Sequence, residues 1–511
     1  LAPPLPYRKG FPYYVSLRTT IERGDQPMDI IVKDKEFSFK DLEQEIFRIV
    51  CRAGVEITSQ ILSRKDQEIY EAVDKEVYHS KGFRHTTIKT QYGDVGYDRR
   101  IYATTLEDGR RAFVYLLDEA LGMKKIGLVS ENLAEIIADI ATETPYRGTA
   151  EAVSNTTGIS ISAQGAWNVM QHIGMRIDEE ESHDVDCMNA GQETGRKAVP
   201  ILFEEMDGVW IRQQGKRHEK MPMQEVKVSS TYEGWDAEKE KQNRSTLVEK
   251  HILAGIEDSK TFHEKREADI RKRYDADEIG QRIVNGDGGS WIGEPNDPDA
   301  IIQLDPFHVH KEIRRLIADK DVIKEIENLL SVKDVDGAMS YIQIYADSVA
   351  SNDPMDKKAK NALALMGYLS NNKDSLIPWK ERDFKIPDAP DGIIYKSMGV
   401  QENQNCTVIT LRMKHRRMRW SANGGNNMAK ALARKENHEL HETISRYSEE
   451  FIFGSEIIEV IEVLSAAKAP KKDGKGSWYA DGWNTHMPIF DAVLTEARKA
   501  FRGIAHGKEA L

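Results

Sequence analysis

Two aspartates stand where their surroundings suit chemistry. Asp207 follows an apolar run in 199-VPILFEEMDGVWIRQ-213, and Asp287 lies among glycines in 282-RIVNGDGGSWI-292. Asn-Gly and Asp-Gly are strong turn formers, because glycine accepts positive φ and Asx side chains bond back to their own backbone. Asp287 therefore reads either as a solvated turn residue or as a strand-end carboxylate that glycines leave open to a large charged ligand. A second carboxylate in a similar place decides between the two.

The order of elements supplies one. An apolar strand leads to Asp207 and continues through Val209 and Ile211. Further strands follow near 226-VKVSSTYEGW-235 and 244-RSTLVEKHILAGI-256, then a helix near 259–274. A fourth strand, Arg282 to Val284, delivers Asp287. Strand, strand, strand, helix, strand is the opening order of an RNase H-like domain, in which the first and fourth strands lie side by side. Asp207 and Asp287 are thus expected to meet across 80 residues of chain. Two carboxylates brought together without a basic partner repel unless a cation lies between them. Hard oxygen ligands favour Mg²⁺ or Mn²⁺. Two such ions, about 3.5–4 Å apart, hold the attacking and leaving oxygens of an in-line phosphoryl displacement. This chemistry calls for a third carboxylate, usually on a later helix.

In 301-IIQLDPFHVHKEIRRLI-317, Asp305 fits an N-cap and Pro306 the first helical position, with His308 and His310 in the opening turns. A zinc reading of that His-x-His pair lacks further ligands nearby. Amphipathic stretches extend to about 370, an insertion of about 80 mostly helical residues. Pattern resumes at 393-IIYKSMGVQENQNCTVITLRMKHRRMRW-420, where Glu402 opens a predicted helix. Arg412, Lys414, Arg416, Arg417 and Arg419 are expected on its later turns, ahead of Trp420. The competing acids are Glu381 and Asp383 before this helix and Glu436 and Glu439 after it.

The rest of the chain must position these groups. At 511 residues it is long enough for two or more domains. Charged residues at 31% and apolar ones at 40% describe an ordinary soluble protein. Cys51, Cys187 and Cys406 lie far apart, which excludes a disulfide framework or zinc ribbon and suits a reducing cytoplasm. No apolar run is long enough for a membrane span, and the first residues carry no signal-peptide core. The net charge of −12 argues against a general nucleic-acid coat and leaves room for local basic surfaces.

Residues 1–35 read as an arm, and Phe39, Leu42, Ile46 and Val50 mark a helical region over about 37–80. Alternation over 85–118 predicts a small antiparallel meander carrying Arg99, Arg100, Arg110 and Arg111, either a solvated face or a phosphate-contacting one. Ser130 caps a helix with Leu133, Ile136, Ile137 and Ile140 on its apolar face. The segment 146–174 has the pattern of a helix-turn-helix: Ala150 and Val153 face inward, Gly158 makes the turn, and Ser162 caps a helix packing through Ala166, Trp167 and Met170. Residues 176–196 read as a polar linker, and the Lys-rich run 466–477 as a linker to a short tail.

Taken together, MDGVWI, TYEGW, NGDGGSWI, QLDPFHVHKEIRR, the late glutamate and RMRWSANGGNNMAKAL resemble bacterial insertion-sequence transposases of the ISLre type, DDE enzymes related to the Mutator class. The resemblance runs from roughly residue 80 to 445. It implies catalytic, metal-ligating Asp207, Asp287 and Glu402, and places Asp305 and His308 on the Asp-x-x-His motif that follows the second aspartate. It turns Arg412, Lys414, Arg416, Arg417 and Arg419 into a phosphate-binding face, with Trp420 either a core anchor or a stacking platform for an unpaired base. The implied fold class is α/β multidomain. An N-terminal region (1–80) precedes a meander with a helix-turn-helix that binds DNA (81–175) and a linker (176–196). An RNase H-like core (197–310 and 391–445) is split by a helical insertion (311–390), and a tail follows (446–511). The implied function is transposition. Cleavage at element ends and strand transfer into target DNA would use two Mg²⁺ or Mn²⁺ ions, by a homo-oligomer on DNA in the bacterial cytoplasm, at the nucleoid. The alternatives are a structure-selective nuclease of the same core, or a non-catalytic DNA-binding repressor.

Overall fold

The protein is described by a computed structural model, covering residues 38–445 apart from 107–108, 122–128, 216–220, 290, 293–297 and 351–355. The arm expected over 1–35 and the linker and tail expected over 446–511 lie outside these residues. The described chain is a mixed α/β protein of two compact units, divided within one helix after Val169, with Ile444 and Ser445 falling in the first.

The first unit opens with α1 (Phe39–Ala72), started by a capping box in which Ser38 and Asp41 satisfy each other's backbone N–H. Leu62 of α1 packs with Ile88, Val95 and Tyr97 of an antiparallel sheet of β1 (His79–Thr90), β2 (Gly93–Thr105) and β3 (Arg111–Val114). The helix expected from the spacing of Phe39, Leu42, Ile46 and Val50 is present, and Phe39, Ile46 and Val50 lie exposed on it. Two of the meander arginines face inward. Arg100 pairs with the buried Asp66 at 2.6 Å, and Arg99 pairs with Asp118. Asp118 lies in α2 (Leu116–Ala120). Then come α3 (Glu131–Glu143), capped by Ser130 as expected, α4 (Tyr146–Thr156) and α5 (Ala163–Asn189). The polar linker expected from residue 176 is a correction: helix α5 continues unbroken to Asn189.

The second unit is built on a five-stranded sheet. Its strands are β4 (Lys197–Arg212), β5 (Met223–Tyr232), β8 (His251–Gly255), β9 (Tyr274–Gly286) and β10 (Ile301–Leu304), in the order β10-β9-β4-β5-β8. Between β5 and β8 lie the short β6 (Gly234–Asp236), α6 (Ala237–Lys241) and β7 (Leu247–Val248). The strands β4 and β9 are parallel neighbours, with Phe203 opposite Ile283 and Met206 opposite Gly286. β5 and β8 join by antiparallel pairing, and β10 adds parallel to β9. The helix α7 (Ser259–Arg273) links β8 to β9 and covers one face of the sheet through Phe262 and Ile270.

On the other face, Phe203 and Tyr232 stack at 5.4 Å, with Trp235, Trp379 and Tyr395 edge-on around Phe203. Trp379, from the stretch beyond the insertion, thus belongs to the core of the sheet. The insertion itself is α8 (Pro306–Leu316), α9 (Lys320–Ser331), α10 (Val335–Ala350) and α11 (Lys357–Asn371). These helices enclose their own core of Ile313, Ile326, Ile342 and Leu365, closed by Leu304 of β10. The chain returns through β11 (Ile393–Ile394), paired with β6, to α12 (Gln401–Gln404). A π-helical segment (Asn405–Thr410) follows, then α13 (Leu411–Met413), α14 (Ala422–Glu436) and α15 (Leu440–Ser445).

Charged side chains dock α14 and α15. His251 of β8 lies 3.2 Å from Asp269 of α7 and 3.2 Å from Glu439. Burial opposes a charged imidazole, but the two carboxylates outweigh it and raise the His251 pKa. Burial likewise opposes ionisation of Glu439, yet His251 and Arg434 bring it down to about 2. A raised histidine stabilises the fold below its unfolded pKa and loses that contribution as pH rises through the folded value; a depressed glutamate does the reverse on the acid side. The prediction is that this contribution is fully present between about pH 4.5 and 6.5 and is lost as pH rises above the ordinary histidine range. Thermal melts should show the alkaline fall in the native protein and a flatter profile in His251→Gln. Equal slopes in the two would remove His251 from this role.

Candidate active site at the ends of two parallel strands

The alternation of β4 sends neighbouring residues to opposite faces of the sheet. Glu205 and Asp207 point one way and Glu204 and Met206 the other. Asp207 is buried, with Oδ1 accepting the Gly208 N–H at 2.7 Å and Oδ2 accepting Asn405 Nδ2 at 2.6 Å. Asp287 lies just past the end of β9. Its Oδ1 accepts the Gly289 N–H at 2.7 Å, and Gly288 takes φ of +80°, so the turn chemistry of this stretch is real. The turn holds the carboxylate at the sheet end, so the two readings of Asp287 coincide.

His308 completes a group with the two aspartates. One ligand atom from each of Asp207, Asp287 and His308 lies within 4.8 Å of the others, and His308 Nε2 is 3.4 Å from Asp207 Oδ2. Asp305 positions this histidine. It is the N-cap of α8, accepting the Phe307 N–H at 2.8 Å, with Pro306 at the first helical position. Burial would lower the His308 pKa, but Asp207, Asp287 and Asp305 raise it. His310 turns away to Glu327 at 3.0 Å, which removes the His-x-His zinc reading.

Among the described residues no lysine or arginine pairs with Asp207 or Asp287. Two carboxylates and an imidazole within reach of one point form a donor set for a divalent cation, and the imidazole suits Mn²⁺ better than Mg²⁺. A second acidic group, Asp178, Glu181 and Glu257, has similar spacing but holds its own cations. Lys265 Nζ lies 2.6 Å from both Asp178 and Glu257, and Lys430 pairs with Glu181 and with Glu257. That group is a salt-bridge network.

Glu402 sits on the first turn of α12, as expected, but it is exposed and lies outside the three-residue group. The residue of this segment that reaches Asp207 is Asn405, one turn later on the same side. Three of the four competing acids are engaged elsewhere: Glu381 with Lys333, Glu436 with Lys250, and Glu439 with His251 and Arg434.

The basic residues expected along one helix are a correction. The helix ends at Met413, and Arg416 and Arg417 take the left-handed φ values of 58° and 55° in a tight turn. Arg412 is buried with its guanidinium 5.1 Å from the Trp420 ring centre. Lys414, Arg416, Arg417 and Arg419 are exposed. Trp420 is buried and donates Nε1–H to the Met413 carbonyl at 2.9 Å, so it is a core anchor. It also ties the turn to the far end of β4, since its N–H bonds Arg212 O at 2.9 Å.

Three site residues escaped the sequence reading. Asn405 is the first. Glu225 of β5 is the second: its pKa is raised by burial and by the charges of Asp287 and Asp207, against the pull of Lys227 and a Trp291 hydrogen bond. Its carboxylate covers Gly208, where a Cβ would stand 2.1 Å from Glu225 Oε1. A side chain after Asp207 would have to displace the Glu225 carboxylate. Tyr368 of α11 is the third, reaching the Asp287 carbonyl at 3.5 Å. Only the Asp-Gly dipeptide gave a signal for any of these.

The molecule so defined is a mixed α/β protein with a carboxylate pair placed where the pairing of two neighbouring parallel strands ends. The chain belongs to the uncharacterised protein family UPF0236, whose family model matches residues 32–448. No curated protein matches it.

The site predicts direct metal binding. Asp207→Asn and Asp287→Asn should each weaken Mn²⁺ binding by about 10–100-fold in calorimetric titration, while far-UV circular dichroism stays native. Asp178→Asn should bind as the parent does. Unchanged Mn²⁺ affinity in an Asp207→Asn, Asp287→Asn double variant would dismiss the site.

Proposed function

We propose that this protein is a DNA transposase that cleaves strands at the ends of an insertion sequence and joins them to target DNA. The observation that carries the reading is the meeting of Asp207, Asp287 and His308, drawn from within one strand, from just past the end of its parallel neighbour and from a helix start. The sheet order, with three antiparallel strands followed by two added in parallel, supports an RNase H-like core. The motif resemblance described above points the same way.

In this reading Asp207 and Asp287 hold Mg²⁺ or Mn²⁺, with His308 beside them and Asp305 fixing the start of its helix. Bound there, the cations would supply activation of water and charge stabilisation at the phosphodiester. Glu402 is the third acid. It lies one turn before Asn405, which already touches Asp207, so its longer side chain has the right element and the right side of it. The exposed Lys414, Arg416, Arg417 and Arg419 offer charge to a DNA backbone, held close to β4 by Trp420. The helices α4 and α5 are the proposed helix-turn-helix contact with element ends, and a homo-oligomer at the bacterial nucleoid is the working form. Arg99 and Arg100 carry no part of DNA contact, since both are engaged within the fold.

The test is a cleavage and strand-transfer assay on duplexes carrying the element ends, with Mg²⁺ or Mn²⁺. Asp207→Asn, Asp287→Asn and Glu402→Gln should each lower cleavage by at least about 10²-fold, as loss of a charge-stabilising group does. Each should still bind DNA, and Glu436→Gln should cut normally. Cleavage without joining would favour the structure-selective nuclease, and DNA binding with no cleavage under any metal the repressor. Full cleavage by Asp207→Asn would end both enzymatic readings.

A further inference from the structure

Beneath the carboxylates runs a row of buried polar side chains, each two positions or one helical turn from a residue of the site. Glu205 is its hub. This glutamate is fully buried two residues before Asp207, on the same face of β4. Its carboxylate accepts the Tyr232 hydroxyl at 2.6 Å and Asn285 Nδ2 at 3.0 Å. It also accepts the backbone N–H groups of Gly399 at 3.0 Å, Val400 at 3.1 Å and Gln401 at 3.3 Å. Asn285, two residues before Asp287, accepts Gln303 Nε2 at 3.1 Å, and Gln303 Oε1 accepts the Trp379 N–H at 2.9 Å. On the other side, Gln401 accepts the Ser230 hydroxyl at 2.7 Å and donates to Asn405 Oδ1 at 3.0 Å. Asn405 then donates to Asp207. The row crosses four strands and both segments of chain that flank the helical insertion.

The backbone N–H groups at 399–401 open the segment that carries Glu402 and Asn405, and one carboxylate takes all three. Burying a carboxylate is costly unless donors surround it, so this group is fixed in place by its partners and fixes them in turn. We propose that Glu205 is a positioning residue that sets the returning segment 399–413 in register with Asp207 after the insertion. Its structural part rests on these contacts alone; its consequence for catalysis rests on the functional reading above.

An amide cannot replace it, because the NH₂ of glutamine would meet N–H groups where an oxygen now stands. The experiment uses the full chain and three variants: Glu205→Gln, Glu205→Asp, and Tyr232→Phe as a control that removes one donor without touching residues 399–401. Amide hydrogen exchange at 399–405 should speed up at least tenfold in Glu205→Gln, with the β4 and β9 amides still protected. In the cleavage assay kcat should fall at least tenfold, with KM for DNA unchanged. Glu205→Asp keeps the charge but is one methylene shorter, so it should show partial loss of both and serve if the glutamine variant does not fold. Tyr232→Phe should match the parent. Native protection at 399–405 in Glu205→Gln or Glu205→Asp would overturn the proposal, as would lost protection with undiminished kcat. A parent protein that fails to cleave any DNA would count against the functional reading only, since the exchange result still decides what Glu205 does.

Discussion

The parallel register of β4 on β9 is the constraint on which the candidate site depends. With Met206 opposite Gly286, the next residue of each strand is an aspartate, and the two arrive together despite 80 intervening residues. A slip of one residue would send every side chain of β4 to the other face. Apolar pairing fixes the register only in part. Glu204, fully buried, is bound by Arg282 Nε at 2.6 Å and Nη2 at 3.1 Å, and Arg282 also reaches Glu267 of α7 at 2.8 Å. Burial would raise the Glu204 pKa, but Arg282 and Arg266 hold it low. A buried ion pair contributes little net stability compared with a well-packed apolar pair, yet breaking one leaves an unpaired charge. Such a pair therefore selects against every register that separates Glu204 from Arg282.

Consecutive glutamates thus divide the work between the two faces of one strand. Glu204 points to α7 and meets guanidinium groups, so its bonds tie β4, β9 and α7 together. Glu205 points to the opposite face and meets neutral donors, among them three backbone N–H groups of the returning segment. Cationic partners on the second face would compete with a metal ion for Asp207, two residues away. Neutral partners do not. The arrangement gives Glu204 cationic partners behind the sheet and Glu205 neutral donors on the site side.

How much of this was legible in the sequence follows from the same division. Asp207 and Asp287 stood out because each follows an apolar run and borders glycine, and the strand order could be read from element types alone. Asp305 and Pro306 announced the start of α8 through local capping chemistry. What could not be read depends on tertiary contact. Nothing in FEEMDG distinguishes Glu205, whose partners lie in β5, in β9 and beyond the insertion. Residues 176–189 looked like a linker because their composition is polar; Asp178 and Glu181 are satisfied by Lys265 and Lys430, which lie far along the chain. The basic run after Arg412 looked like a helical face because nothing local marks the turn at Arg416 and Arg417, which neither glycine nor asparagine occupies. Glu402 was placed on the right turn of the right element, while the contact to Asp207 fell to Asn405.

Two acidic groups in one unit show what makes a metal site plausible. Asp178, Glu181 and Glu257 are as close together as Asp207, Asp287 and His308. Spacing alone would rank them equally. The difference lies in what balances the charge. The first group surrounds Lys265 and Lys430, the latter almost wholly buried, so its charge is already met inside the protein and a divalent ion would have to displace an ammonium. Among the described residues no lysine or arginine pairs with the aspartates of the second group, and its histidine can give up its proton to become a ligand. This group also lies where the parallel pairing of β4 and β9 ends, rather than between helices. The way the charge is balanced inside the protein, and not the spacing of the acids, separates the candidate site from the salt-bridge network.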